Sequence, residues 1–184
     1  MFDSAIYRRR RQVLTAAMAG GVLLFAGNDD ASTNFRANVY PFVQDGCFRY
    51  FFGVNLPGMV GLIDVDAGEA WLFGDDADIS DTIWHGARPS LAEHADRVGI
   101  TRVGSLADLA EWLKRAKAQG RVIQYPPAYR AGTQIRLAKL LDCPIDAILH
   151  HQAPDLIAAI VAIREIKAAE EIAEMEAALA VTRE

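Results

Sequence analysis

Apolar residues along this chain fall into short blocks separated by glycine, proline and small polar residues, and the spacing inside each block predicts an element. Val13, Leu14, Ala17 and Met18 recur at helical spacing, with Ile6 and Tyr7 on the same stripe. Ser4 is the expected cap of that helix, and Gly20-Gly21 its stop. The continuous run Val22-Leu23-Leu24-Phe25 predicts a strand buried on both faces. A polar loop over about 27–40 leads to Pro41, then to an aromatic-dense unit, 42–53, closed by Gly53. Residues 58–65 and 69–73 predict the arms of a hairpin around a turn at 66–68.

A long acidic connection, 74–90, follows. Ser90 and Ser105 each stand three residues before an acid, Glu93 and Asp108, the capping-box spacing that opens helices over 91–98 and 106–118. Between them Arg102-Val103 predicts a short strand, and Gly120 stops the second helix. Another strand, 122–125, ends at Pro126-Pro127; 132–141 reads as helix and 143–148 as extended chain. Residues 155–182 contain no glycine or proline and predict one nearly continuous helix, with Ile166, Ile172, Met175, Leu179 and Thr182 along one stripe. Strands alternating with helices, plus a hairpin, make this an α/β fold with a mixed β-sheet flanked by helices.

Charge narrows the function classes. Nineteen Lys and Arg against 24 Asp and Glu give a net charge of −5, which argues against nucleic acid as a partner because phosphate neutralisation needs a basic face. Arg8 to Arg11 precede an apolar stretch in the manner of an export signal, but Gln12, Thr15 and Gly20-Gly21 interrupt it and no small-residue cleavage site follows. The stretch also falls short of the roughly 20 apolar residues that span a bilayer, so no membrane association is expected. Two cysteines, Cys47 and Cys143, support neither a disulfide framework nor a zinc site, and a reducing cytoplasm is the expected location. They read as small buried thiols, and the four arginines as a solvated helix face with one buried stem.

Known chemical motifs are missing. No phosphate-binding loop and no nucleophile elbow is present. Asp76, Asp78 and Ser80 alternate like the start of a calcium loop, but Asp81 and Ala87 stand where Gly and Glu are needed. His150 and His151 are adjacent, so their side chains diverge on regular structure, and His85 and His94 lack the spacing of a helical metal pair. Asp64 and Asp66, at the hairpin tip, share no focus that would hold two magnesium ions for a nuclease.

Longer strings carry more. Tyr7-Arg8-Arg9-Arg10-Arg11-Gln12-Val13-Leu14, then Met18, then Gly21-Val22-Leu23-Leu24-Phe25-Ala26-Gly27 resemble the opening of aminopeptidase P. So do Tyr40-Pro41-Phe42-Val43-Gln44-Asp45 with Phe48-Arg49-Tyr50-Phe51-Phe52-Gly53, and Trp84-His85-Gly86-Ala87-Arg88, which is similar to the family's W-x-G-x-R. Arg164-Glu165-Ile166-Lys167, Glu170-Glu171-Ile172, Met175, Ala178 and Thr182 resemble the helix that opens that superfamily's catalytic domain. Val43 stands where the family has Arg, Gly46-Cys47 where it has a Ser and a polar residue, and Ala168 where it has Ser.

The resemblance implies that residues 1–153 form the N-terminal domain shared by aminopeptidase P, prolidase and creatinase, topologically like ribonuclease H. Residues 154–184 would be the linker and first helix of the pita-bread metallopeptidase domain. It also implies a parent enzyme that removes an N-terminal residue preceding proline, with two divalent metals, manganese by the family's habit, in a catalytic domain missing here. No cofactor or catalytic residue is then expected in this chain, which should be inactive alone. Its partners would be its own catalytic domain, other subunits of a homo-oligomer and, in the whole enzyme, peptides with proline second. Trp84 would reach a substrate cleft or a neighbouring subunit, unless it packs on its own domain. Arg88 could hold a carboxylate or pair with the nearby acids. The other readings are a prolidase-type N-domain and a stand-alone binding module.

Overall fold

Strand β1 (Val22–Ala26) is buried along nearly its whole length, the outcome its unbroken apolar run requires. The computed structural model describes residues 2–35, 37–77, 83, 84, 86 and 88–182. Within them β1 pairs antiparallel with β2 (Val60–Asp64), which turns back into β3 (Glu69–Phe73) as the expected hairpin. Two short strands lie parallel to their neighbours at the edges: β4 (Arg102–Gly104) beside β3 and β5 (Ile123–Gln124) beside β1. The order is β4-β3-β2-β1-β5, the mixed sheet predicted from the hairpin.

Helices cover both faces, and the strand period of two decides which side chain meets which layer. Leu23, Phe25 and Ile63 face a layer made by α1 (Ser4–Ala16), α2 (Gly46–Phe52), α3 (Leu91–Asp96) and α7 (Pro154–Glu165). Val22, Leu24 and Leu62 face the other layer, made by α4 (Leu106–Ala118), α5 (Ala131–Leu140) and α6 (Ile145–Leu149). The first layer is aromatic: Phe48, Phe51 and Phe52 of α2 are fully buried, and Phe25 lies 5.3 Å from the Phe51 ring and 5.6 Å from Phe52.

Asp3, not Ser4, caps α1; its carboxylate accepts from the Ala5 N–H at 2.8 Å. The reading of Arg8–Arg11 as a solvated face also needs correction, because both Arg10 and Arg11 are buried. The reason lies in the helix ends they meet. The last carbonyls of a helix have no partner within it. Arg11 donates to Phe51 O at 2.9 Å, at the end of α2, and to Val98 O at 2.8 Å and Gly99 O at 3.1 Å, just past α3. Arg10 donates to Tyr50 O at 3.0 Å. Gly53 ends α2 with φ 67°, and a Cβ there would lie 2.4 Å from the Tyr7 ring, so this position admits only glycine.

Both predicted capping boxes are present. Ser90 and Glu93 open α3, and Ser105 and Asp108 open α4. Residues 143–148, expected to be extended, instead enter α6 after Pro144, placing Ile148 in the core. The single long helix expected over 155–182 is two. Ile166 is extended (φ −97°, ψ 117°), and α8 (Ala169–Thr182) starts anew with the Glu171 carboxylate accepting from the Ala168 N–H at 3.0 Å. Arg9 pairs with Glu170, and Arg10 approaches Glu171 at 3.4 Å, so ion pairs to α1 hold the bend. Helix α8 contributes no buried residue; Ile172, Met175 and Leu179 remain exposed.

Asp64 and Asp66 do converge, contrary to expectation, but on a cation. The Arg121 guanidinium bonds Asp64, with one contact at 3.0 Å, and Asp66 at 2.7 Å, and it also reaches Gly21 O at 3.4 Å. Cys47 and Cys143 are free and half-buried rather than enclosed. Among the described residues no helix is long and apolar enough to cross a membrane.

Candidate functional site

Strand directions decide which loops share an edge. Strands β1, β3, β4 and β5 all run the same way, so the loops after β1 (27–45), β3 (74–90) and β5 (125–130) leave from one end of the sheet. In open α/β sheets that carboxyl end is where ligands and partners bind. Each predicted site residue and each Tyr-Pro or Pro-Pro string lies on one of these three loops.

Buried amides hold the first loop. Gln44 accepts the Asn28 N–H at 2.6 Å and the Asp45 N–H at 2.8 Å, and donates to Leu56 O at 2.8 Å. Asn28 returns a bond to Val43 O at 2.9 Å. Gly27 makes this closure possible, since a Cβ there would stand 2.8 Å from Met59 O and 2.9 Å from the Gln44 carbonyl oxygen. Arg136 of α5 ties the loop from the other side, bonding Gly27 O and, at 2.8 Å, Asp29. With its root held, the loop turns Tyr40 and Val43 outward. Between it and the start of α5 lies a hollow of about 570 Å³ bounded by Asp29, Tyr40, Val43 and Arg130.

Trp84 stands on the β3–α3 loop with 79% of its surface exposed, so it does not pack into its own domain's core. Arg88, four residues on, is also exposed. His85, Asp78, Ser80, Asp81 and Ala87 lie outside the described residues. The acids that are described serve the backbone: Asp76 accepts the Leu91 N–H at 2.5 Å and Asp75 the Leu106 N–H at 3.3 Å, each at the start of a helix. Tyr129, which the sequence reading passed over, is 89% exposed. Its signal was Pro126-Pro127, which holds the chain extended before it.

Burial shifts two groups near this edge, Tyr125 and His151. The Tyr125 hydroxyl is pushed up to about 12 by burial, and the His151 ring, stacked on Tyr125 at 3.8 Å, is lowered from its ordinary value for the same reason. Among the described residues no group of three or more His, Cys, Asp or Glu side chains could hold a metal ion. What the edge presents is aromatic surface, prolines and guanidinium groups, the side chains that form contacts with a partner or peptide.

Residues 7–123 match the family described as aminopeptidase P, N-terminal domain. A human Xaa-Pro dipeptidase is 28% identical over 102 residues, which cover 55% of this chain and 21% of that protein. Among solved structures, proline aminopeptidase P II of Yersinia pestis superposes with a TM-score of 0.71 at 24% identity, over 94% of this chain and 41% of its own. Escherichia coli aminopeptidase P superposes with a TM-score of 0.64 at 21% identity, over 86% of this chain and 41% of its own. The chain therefore spans less than half of each of these relatives.

Proposed function

Because the chain belongs to the aminopeptidase P N-terminal domain family, we propose that it is the non-catalytic N-terminal portion of an Xaa-Pro metalloaminopeptidase. In this reading it assembles subunits and walls one side of the cleft of a cytoplasmic enzyme that removes an N-terminal residue preceding proline. The family match over residues 7–123 carries the reading. The exposed stripe of α8 supports it, since an apolar face at the edge of a finished fold calls for a neighbour. Metal chemistry, by two divalent ions such as manganese, belongs to a catalytic domain. In this reading no step of hydrolysis runs through the residues of this chain. Trp84 and Arg88 are the groups this chain would lend to the cleft or to a neighbouring subunit. The likeness to a human Xaa-Pro dipeptidase favours a second reading, the same domain in a prolidase-type enzyme.

The test has two parts. The reading frame beyond codon 184 should continue into a domain carrying two Asp, a His and two Glu as metal ligands. The 184-residue chain, supplied with manganese, should release no residue from an Xaa-Pro peptide, whereas the whole enzyme should. In the whole enzyme Trp84→Ala should lower kcat/KM about tenfold, the loss of one aromatic anchor. A stop codon after Glu184, or hydrolysis by the chain alone, overturns the reading.

A further inference from the structure

A cavity of about 740 Å³ opens between α1, α2 and the bend joining α7 to α8. Its size falls within the roughly 300–1,000 Å³ of small-molecule sites. Its floor is apolar, with Tyr7, Val54 and Leu56. Its walls are cationic: Arg10, Arg49, Arg97, Arg164 and Lys167 line it against two carboxylates, Glu171 and Glu174. This reverses the sign of the whole chain, whose net charge is −5. Such local concentration of one sign in a walled hollow attracts the opposite charge.

A shared ring marks a built site rather than scattered surface charge. Arg10 is 5% exposed, with its Nη1 on Tyr50 O and its buried Nη2 3.4 Å from Glu171, so it anchors the cavity wall. The Tyr50 ring holds two of the guanidinium groups. Arg10 lies 3.9 Å and Arg164 5.3 Å from the Tyr50 ring centre. Stacking of this kind holds arginine forks in position without using their N–H donors.

We propose that this cavity binds a small organic anion, a carboxylate or phosphate group carried on an apolar body. The anion takes the N–H donors of Arg164 beyond the one that meets Cys47 Sγ at 3.5 Å, with Arg97, Arg49 and Lys167 supplying field at the rim, and the body lies on Tyr7, Val54 and Leu56. The ligand would touch both the α1–α2 layer and the start of α8, and so fix the bend between α7 and α8. Nothing in this site depends on the peptidase assignment.

Phenyl phosphate and inorganic phosphate are the probes, titrated into the 184-residue chain at low salt while the His94 ring signals, at the cavity wall, are followed by NMR. Phenyl phosphate should bind saturably, shift the His94 signals, and bind at least about tenfold more tightly than inorganic phosphate, because only it uses the floor. Arg164→Gln and Arg97→Gln should each weaken it by about tenfold, the loss of one charge-assisted contact. Arg97 is exposed, so its replacement leaves the core intact, and Arg115→Gln on α4, in the opposite layer, should change nothing. Absence of saturation, equal affinity for the two probes, or unchanged affinity in the Arg97 and Arg164 variants overturns the proposal.

Discussion

Arg11 and His151 show how burial acts on single charged or chargeable groups. Burial lowers the Arg11 guanidinium to about 10, with Arg8 adding repulsion, yet three carbonyls from two helix ends keep it in place. His151 has no such compensation: its Nε2 is buried without a partner, and burial alone lowers its ring from the ordinary value. As pH falls through about 6.5, the unfolded chain binds a proton at this histidine that the native state does not, so stability falls with it. The slope from one such group is at most about 1.4 kcal/mol per pH unit. His151→Phe keeps the stack on Tyr125 and removes the titration. Urea midpoints measured from pH 7 to pH 5 should then decline less steeply than in the parent. Some slope should remain, because burial and Arg97 lower His94 in the same direction.

Among the elements, helix α4 rests on one small cap. Ser105 accepts the Asp108 N–H at 3.1 Å, while the Asp108 carboxylate accepts the Ser105 hydroxyl at 2.7 Å and the Ser105 N–H at 2.9 Å, which together hold that carboxyl below its ordinary value. Ser105→Ala should cost about 1 kcal/mol, or about 2–4 °C in Tm, read by thermal unfolding at neutral pH. Caps of this kind were legible in the sequence because they are local: an oxygen, three residues, an acid. So were β1 and the hairpin, whose apolar runs and turn residues act within a few positions. The bend at Ile166 was not, because Arg9 and Arg10 make it from the far end of the chain by pairing with Glu170 and Glu171. Helix α6 was missed because its five residues are too few to show a period, and the core it fills lies elsewhere. At the candidate site, the motif singled out Trp84 and Arg88, and both lie exposed on the β3–α3 loop. Tyr129 was not singled out, since Pro126-Pro127 signals an extended loop but not which of its side chains is exposed.

At the scale of the whole molecule, the question is what α8 rests against. Ile172, Met175 and Leu179 follow one another at spacings of three and four and lie exposed together on one face. A stripe of this kind drives association wherever no neighbour covers it. The 184-residue chain should therefore self-associate with rising concentration in sedimentation velocity, and Leu179→Glu should shift it toward monomer without loss of helix content. A monomeric parent would mean that the stripe is too narrow to hold two copies.

Arg121 joins parts of the chain that meet late. It ties the chain just before β5 to Asp64, 57 positions earlier, and to Gly21, 100 positions earlier. The β2–β3 hairpin, with its partners only a few residues apart, closes while those distances are still open. By loop-closure entropy the clasp at Arg121 is expected to follow the hairpin. Arg121→Ala should therefore speed unfolding more than it slows refolding in stopped-flow measurements, whereas an equal effect on both rates would place the clasp in the folding transition state.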